Sequence, residues 1–425
     1  MSTTTPTPTP RHIIVIGAGI VGIACASYIL RAGHRVTVVD RGAPGEGTSF
    51  GNAGCLNSSS VVPISMPGVF AQVPRWLLDP EGPLVLRWRY LPVLAPWLWR
   101  FVRAGTPEKV AAQARALRDL LGTTLESYAP LIKAACAEDL IHRAGHLTVY
   151  KSEASFAKDA RAMDLRRANG VTVDDLSFDE LRQLEPGLSR DFIRGRMIAE
   201  TGHVGDPHRL VARLADSFMR DGGRILRETV RGFEFADGTV TGVRGESGVH
   251  RADHVVLAAG AWSKTLAKQL GDAVPLDTER GYHVVLRDPE TMPRRPISSA
   301  EGKFFATPMD GGLRVAGTVE FAGLEAPPDW RRSRMLLRQA QDMFPALPRE
   351  IGDARLSHWM GFRPSMPDSL PVIGPSRRHR NVVHAFGHGH VGLIGGAMTG
   401  RIAAALVDGA KPPIDIAPFR VDRFA

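Results

Sequence analysis

The sequence predicts an α/β fold built from two interleaved domains, and three observations carry that prediction. An unbroken apolar run, His12-Ile13-Ile14-Val15-Ile16, leads into glycines at 17, 19 and 22 and then into helical spacing. A second glycine-rich turn, Gly387 to Gly392, opens another helix near the other end of the chain. The 425 residues between and around them are too many for one simple core.

The apolar run lacks alternation, which suits a parallel strand buried on both faces. Gly17 begins a tight turn, Val21 to Arg31 reads as a helix stopped by Gly33, and Arg35 to Asp40 is the second strand. This strand, turn, helix and strand together make a unit of about 30 residues. Gly42 to Ser60 is rich in Gly, Ser and Asn and reads as loop, whereas Val61 to Gly105 is dense in Pro, Trp and Leu. Ala111 to Ala137 is expected to be a long helix broken near Pro130, and Pro207 to Asp221 an amphipathic one. Gly232 to Val243 reads as a hairpin around Asp237-Gly238, followed by the buried strand His254 to Gly260. Residues 275–360 read as strands with one helix, Trp330 to Phe344. The end of the chain runs through a strand, Val382 to Phe386, into a helix from Ala397 to Val407.

The first glycine turn carries chemistry because its context is right. A strand precedes it, a helix follows, and an acid closes the next strand. Gly17 permits the turn, Gly19 lets backbone approach a diphosphate, and Gly22 with Ala26 lets helix and strand pack closely. The helix start at Ala18, Ile20 and Val21 offers free N–H groups and the positive end of a dipole. Asp40 is placed to accept ribose hydroxyls. The unit is thus a Rossmann-like dinucleotide site, with NAD and FAD both open.

Distant segments decide between them. His254 to Gly260 continues into Ala261-Trp262-Ser263, a strand ending in small residues. Gly361-Phe362-Arg363-Pro364, Pro367-Asp368, Leu370-Pro371 and Gly374 precede Gly387-His388-Gly389-His390-Val391-Gly392. With Thr48-Ser49-Phe50-Gly51-Asn52-Ala53-Gly54, this order resembles the D-amino-acid oxidase and dehydrogenase superfamily of flavoproteins. It is most similar to the small-subunit type of bacterial D-amino-acid dehydrogenase, over essentially all of the chain after residue 10.

The resemblance implies an FAD-binding Rossmann-like domain from residues 11–60, 200–275 and 355–425. It also implies an α+β substrate domain on an antiparallel sheet from 61–199 and 276–354; the polar, Thr/Pro-alternating residues 1–10 read by composition as a disordered lead-in. Around the cofactor it places the first turn with Asp40 and Arg41, then Thr48, Ser49, Asn52, Ala53 and Gly54. Val230 would meet the adenine side through its backbone, near Ala259, Gly260 and Trp262. Gly389, His390, Val391, Gly392 and Leu393 would bring amides and a helix start to the flavin's pyrimidine end, where reduced flavin is anionic. Arg363 would clamp the substrate carboxylate with its guanidinium fork, and Tyr282 would help orient carboxylate or amine. His388 and His390 are candidates for acid–base or metal work, with packing against the cofactor the stronger expectation. The histidyl attachment position of covalent relatives falls at Gly51, and no cysteine lies beyond Cys136, so FAD is expected to be non-covalent.

The implied reaction is oxidative deamination of a D-amino acid. The Cα hydrogen leaves as hydride to flavin N5, and the imine is hydrolysed to a 2-oxo acid and ammonia. Electrons would pass to quinone or another carrier. Glycine or sarcosine-type oxidase and D-hydroxyproline dehydrogenase are variants of the same reading, and a related 2-hydroxy-acid oxidoreductase is a neighbour of it. From a different class comes a flavin-carrying subunit that needs partners to act.

Composition excludes other classes. The formal charge of +9 comes from scattered arginines in no run longer than two, without the basic stripe or fold motif of a nucleic-acid binder. Three cysteines, Cys25, Cys55 and Cys136, form neither a disulfide framework nor a metal-ligand spacing, so no metal is expected. No stretch reaches the apolar length that spans a bilayer, and the start lacks a signal peptide's apolar core. A cytoplasmic protein is expected. In Pro74 to Arg103, where Trp97 and Trp99 stand beside arginines, an internal helix covering the substrate site is the favoured reading and contact with the inner membrane face the alternative.

Overall fold

The computed structural model describes residues 9–67 and 82–424. Residues 1–8 of the expected lead-in, and Pro74 to Pro80 of the tryptophan-rich segment with Trp76, lie outside the described residues.

His12–Ile16 is the inner strand of a six-stranded sheet, parallel to Arg35–Asp40 on one side and His254–Leu257 on the other. The sheet continues to Arg224–Arg227 at one edge. At the other it runs through Val382–Phe386 to Val372–Pro375, the last pair being antiparallel. Ile13 and Val15 point into a core under the helices Ile20–Arg31, Pro207–Arg220 and Gly392–Asp408, while Ile14 and Ile16 point into a second core on the other face. This two-sided burial is the cause of the unalternating apolar run. Helices Ile20–Arg31 and Gly392–Asp408 pack backbone to backbone, since a Cβ at Gly400 would stand 2.6 Å from the Ala24 carbonyl oxygen.

A mixed, mainly antiparallel nine-stranded sheet forms the second domain. Its strands include Asp277–Leu286, Gly312–Phe321 and Phe304–Met309, with the helix Arg331–Met343 packed against it. Leu356–Ser365 departs from expectation. Its sequence position groups it with the nucleotide-binding segments, yet it pairs with Asp277–Leu286 through ten residues, from Asp277↔Ser365 to Leu286↔Leu356. Arg363 therefore stands on the substrate sheet. The hairpin at Asp237-Gly238 forms with both residues at positive φ, 47° and 74°.

Two helix boundaries also differ. The expected helix across 111–137 is two helices, Pro107–Leu121 and Thr124–Ala134, and the break falls at Gly122-Thr123 rather than Pro130. There the Thr124 hydroxyl donates to the Leu121 carbonyl at 2.5 Å, satisfying a helix-end acceptor. The last helix starts at Gly392, five residues earlier than the sequence suggests, because its glycine-rich first turns are packed against the first helix.

A buried cluster ties the C-terminal strand to the rest. Asp272 is fully buried, accepts from His384 Nε2 at 2.8 Å, and accepts from Arg377 Nε at 3.1 Å. Burial alone would raise its pKa, but the hydrogen bonds from His384, Ser376 and Arg377 prevail and hold it at about 2. A depressed carboxylate stabilises the fold above its unfolded pKa of 3.8, and this contribution disappears as pH falls through the folded value. Asp272→Asn is therefore expected to cost about 2 kcal/mol at neutral pH. Urea unfolding of both proteins between pH 7 and pH 2 should show the gap constant down to about pH 4 and shrinking below it.

Candidate active site

The Gly-rich turn is built as its spacing requires. Gly17 has φ 112°, and a Cβ there would stand 2.4 Å from the Ala258 carbonyl oxygen. The Ala258–Gly260 segment that follows strand His254–Leu257 is therefore pressed against the turn, with Gly260 at φ 55°. A Cβ on Gly22 would stand 1.8 Å from the Gly17 carbonyl oxygen, so helix and turn touch through bare backbone.

Asp40 does more than its spacing implies. Its carboxylate accepts from the Ala18 amide at 2.7 Å and from the Gly42 amide at 2.9 Å, fixing the turn from behind. Each carboxylate oxygen has a second acceptor site for a ribose hydroxyl. The Ser49 hydroxyl accepts from the Ile20 amide at 3.0 Å, placing it at the helix start where a diphosphate oxygen would lie. Thr48 donates to the Phe362 carbonyl at 2.8 Å, joining this loop to the strand that carries Arg363. Arg41 lies over the Trp262 ring at 3.9 Å. Val230 follows closely on Glu228, whose amide donates to the Asp40 carbonyl at 2.7 Å. The turn, Asp40, the Thr48–Gly54 loop, Trp262 and Val230 thus gather at one end of the six-stranded sheet.

Beside the Thr48–Gly54 loop a cavity of about 660 Å³ lies against the substrate sheet. Thr48, Asn52 and Ala53 border it on one side, Gly389 and His390 on another, and the substrate sheet closes it with Glu279, Thr318 and Arg363. Asn52 accepts from the Gly54 amide at 2.9 Å and so shapes its own loop. The Gly389 amide donates to the Pro364 carbonyl at 2.8 Å, which ties the second glycine turn to the Arg363 strand. Val391 and Leu393 are buried in the hydrophobic cores and do not border this cavity, and the Leu393 carbonyl accepts from Tyr128 at 2.7 Å. The start of helix Gly392–Asp408 faces the cavity through Ile394. Apolar side chains of the helix Leu91–Ala104, among them Leu94, Trp97 and Phe101, form the remaining wall.

Arg363 reaches across Gly281 to donate to the Thr318 carbonyl at 2.8 Å, and a Cβ on Gly281 would stand 2.3 Å from its guanidinium carbon. Burial lowers its pKa and the nearby Glu279 carboxylate opposes that shift. Arginine remains charged in any such setting. Glu279 is the cross-strand partner of Arg363, accepts from Ser365 Oγ at 2.7 Å, and has its pKa raised by burial. His390 borders the same cavity, and burial first, then Arg363, pulls its pKa down to about 4. His388 is buried, pairs with Thr399 Oγ1 at 2.9 Å, and is pulled down to about 3 by burial. Both are neutral near pH 7. No group of His, Cys, Asp and Glu suited to a metal occurs among the described residues.

Tyr282 borders the same cavity, but its hydroxyl is engaged away from Arg363. Side chains alternate along a strand, so Tyr282 faces away from the side shared by Glu279 and Arg363. Its hydroxyl donates to Glu320 Oε2 at 2.5 Å and accepts from the Asp329 amide at 2.9 Å, and the ring is 1% exposed. It braces a network in which Arg87 also meets Glu320 at 2.7 Å. Tyr282→Phe is expected to lower stability by about 1–3 kcal/mol, through the bond lost to a buried carboxylate. KM for substrate should stay within about threefold; thermal unfolding and steady-state kinetics on one preparation measure both.

Glu279 and Thr318 went unnoticed in the sequence. Glu279 is two residues before Gly281 and so on the same strand face, but its place opposite Arg363 depends on the register between two strands. Nothing local marks Thr318.

The residues present fit a flavin dinucleotide: two helix starts, a glycine turn without room for side chains, a ribose-competent carboxylate, and a cavity large enough for a ring system beside a cationic clamp. At Gly51 a Cβ would stand 2.0 Å from Trp359 Cε3, so a side chain there would displace that ring.

Comparison with known proteins gives the same picture. A model of the FAD dependent oxidoreductase family, DAO, matches residues 12–406. A D-amino-acid oxidase of Bradyrhizobium diazoefficiens is 44% identical over 420 residues, covering 98% of this chain and 100% of the relative. A D-amino acid dehydrogenase of the same organism is 30% identical, covering 97% and 99%. Among solved structures, glycine oxidase from Geobacillus kaustophilus superposes with a TM-score of 0.74 at 20% identity, covering 97% and 98% of the two chains. L-proline dehydrogenase from P. horikoshii superposes at 0.73 and 18%, covering 98% of each.

Proposed function

The chain belongs to the DAO family of FAD-dependent oxidoreductases, and from that premise we propose that it oxidises a D-amino acid to the imine, which water hydrolyses to 2-oxo acid and ammonia. FAD, held non-covalently by the two glycine turns and Asp40, would supply the two-electron sink for this oxidation. The observation that carries the reading is the guanidinium of Arg363, held by a backbone carbonyl at the wall of the cavity.

The chain's own contribution is orientation. Arg363 takes the carboxylate in its fork, and the first and last glycine turns hold the dinucleotide, so the Cα–H bond is presented in a fixed direction. The apolar wall of Leu94, Trp97 and Phe101 excludes water and suits an uncharged substrate side chain. His390 borders the cavity, and burial with the nearby Arg363 keeps its imidazole neutral at pH 7, so no second positive charge competes with the clamp for the carboxylate.

A panel of D- and L-amino acids, proline analogues and N-methyl glycines, with flavin bleaching followed without oxygen, tests the reading. D-amino acids should bleach the flavin in the purified single chain; bleaching by L-amino acids alone, or only when a partner protein is added, would overturn it. Acid precipitation should leave all flavin in the supernatant, whereas colour retained by the chain would show a covalent link.

Two observations bear on the electron acceptor. The 44% identical relative is named an oxidase, which favours dioxygen. A second reading, transfer to quinone or a carrier at an anionic membrane surface, is favoured by the helix Leu91–Ala104. Its outer side leaves Val93, Trp99 and Val102 exposed beside Arg100 and Arg103, with Trp88 just before it 68% exposed. No helix among the described residues is long and apolar enough to cross a membrane. Dioxygen uptake measured against reduction of a quinone-like dye separates the two.

A further inference from the structure

Thr318 has φ 62°, a conformation in which a β-branched residue is a true outlier. The strain has a local origin. Strand Gly312–Phe321 pairs Glu320 with Arg280 and Gly317 with Tyr282, so Thr318 and Val319 together oppose the single residue Gly281. This is a β-bulge, and its extra residue is freed from the ladder. The freed Thr318 carbonyl accepts Arg363 Nη1 at 2.8 Å. The Thr318 side chain is 5% exposed and borders the cavity, and its hydroxyl has no hydrogen-bond partner among the described residues. A buried hydroxyl left unpaired is costly, and backbone strain at a cavity wall persists only where surrounding structure enforces it. Here the brace is the Tyr282–Glu320–Arg87 network two residues along the same strand.

We propose that Thr318 is a substrate-binding residue: its hydroxyl donates to the carboxylate held by Arg363, and its bulged carbonyl sets the orientation of that arginine. The inference rests on the carboxylate clamp assigned to Arg363 above. The substrate class it selects is a carboxylate flanked by an apolar group, because one end of the site then has three donors converging on two oxygens. Amides and decarboxylated amines would leave part of that set unpaired.

The test uses the FAD-loaded full chain with benzoate as a non-oxidised probe and benzamide as its neutral counterpart, binding being read from the flavin spectrum. Thr318→Val and Thr318→Ala should each weaken benzoate about tenfold or more, the loss of one hydrogen bond to a charged group, and leave benzamide unchanged. Thr318→Ser should restore benzoate affinity to within about threefold. Thr318→Gly, in which φ 62° is unstrained, should raise Tm while also losing benzoate affinity. The Tm comparison is made on the flavin-free protein as well, so it does not depend on loading. Benzoate affinity unchanged in both Thr318→Val and Thr318→Ala would overturn the hydroxyl's role, and a Tm unchanged or lowered by Thr318→Gly would overturn the strain. If Arg363→Lys also leaves benzoate affinity intact, the clamp itself fails rather than this addition to it.

Discussion

Arg363→Ala is expected to lower kcat/KM for an amino-acid substrate by about 10² to 10⁴-fold, the largest loss from any single side chain in the site. The estimate follows from two charge-assisted hydrogen bonds to one carboxylate, each worth about 1.5–3 kcal/mol, with tenfold in rate for each 1.4 kcal/mol. The same change removes the partner of the Thr318 carbonyl and the positive charge that opposes the rise in the Glu279 pKa. A modest fall in Tm should therefore accompany it. The check is kinetic: kcat/KM of wild type and variant is compared for an amino acid and for the corresponding decarboxylated amine. The variant should lose its preference for the acid, and an unaltered KM for the acid would remove Arg363 from the clamp.

The second large effect is on cofactor retention. Gly22→Ala puts a Cβ 1.8 Å from the Gly17 carbonyl oxygen, and neither atom is on a flexible side chain. Either the helix must move off the strand or the turn must open, and both displace the amides that face the diphosphate. Overpacking of this kind costs about 1–3 kcal/mol, and here the cost falls on the binding geometry, so FAD affinity should drop about 10 to 100-fold. Gly352→Ala provides the comparison, because a Cβ there meets nothing within 4 Å. The flavin-to-protein ratio after dialysis measures both, and retention of full flavin by Gly22→Ala would remove the close-packing argument.

The contrast between these two sites shows what a sequence makes legible. The first turn could be read because every constraint on it is local: Gly17, Gly19 and Gly22 lie within six residues, and Asp40 closes the next strand. The C-terminal turn was legible in the same way, although its helix begins at Gly392 because contacts with the first helix, invisible in the local pattern, hold its glycines helical. Arg363 was found through the resemblance but grouped with the wrong sheet. Its strand follows the helix Arg331–Met343 in sequence, and only the ten-residue pairing with Asp277–Leu286 shows which sheet it joins. That register also explains Tyr282, which stands three residues after Glu279 and hence on the opposite face. Thr318 was beyond reach, since a bulge arises from a mismatch in pairing between strands and threonine gives no signal of positive φ.

The order of strands in the six-stranded sheet has a consequence for how the protein is made. Strands at residues 12–16, 35–40, 224–227, 254–257 and 382–386 must meet before the dinucleotide site exists, and the helix Gly392–Asp408 must dock on the helix Ile20–Arg31. A chain still being synthesised has the first glycine turn but not its last supports, and contacts so distant in sequence form slowly. Flavin capture is then a final event of biogenesis that reports completion of the whole chain. Limited proteolysis during pulse-labelled synthesis should find the N-terminal third degradable until the last strand has emerged, and protected abruptly once FAD is bound.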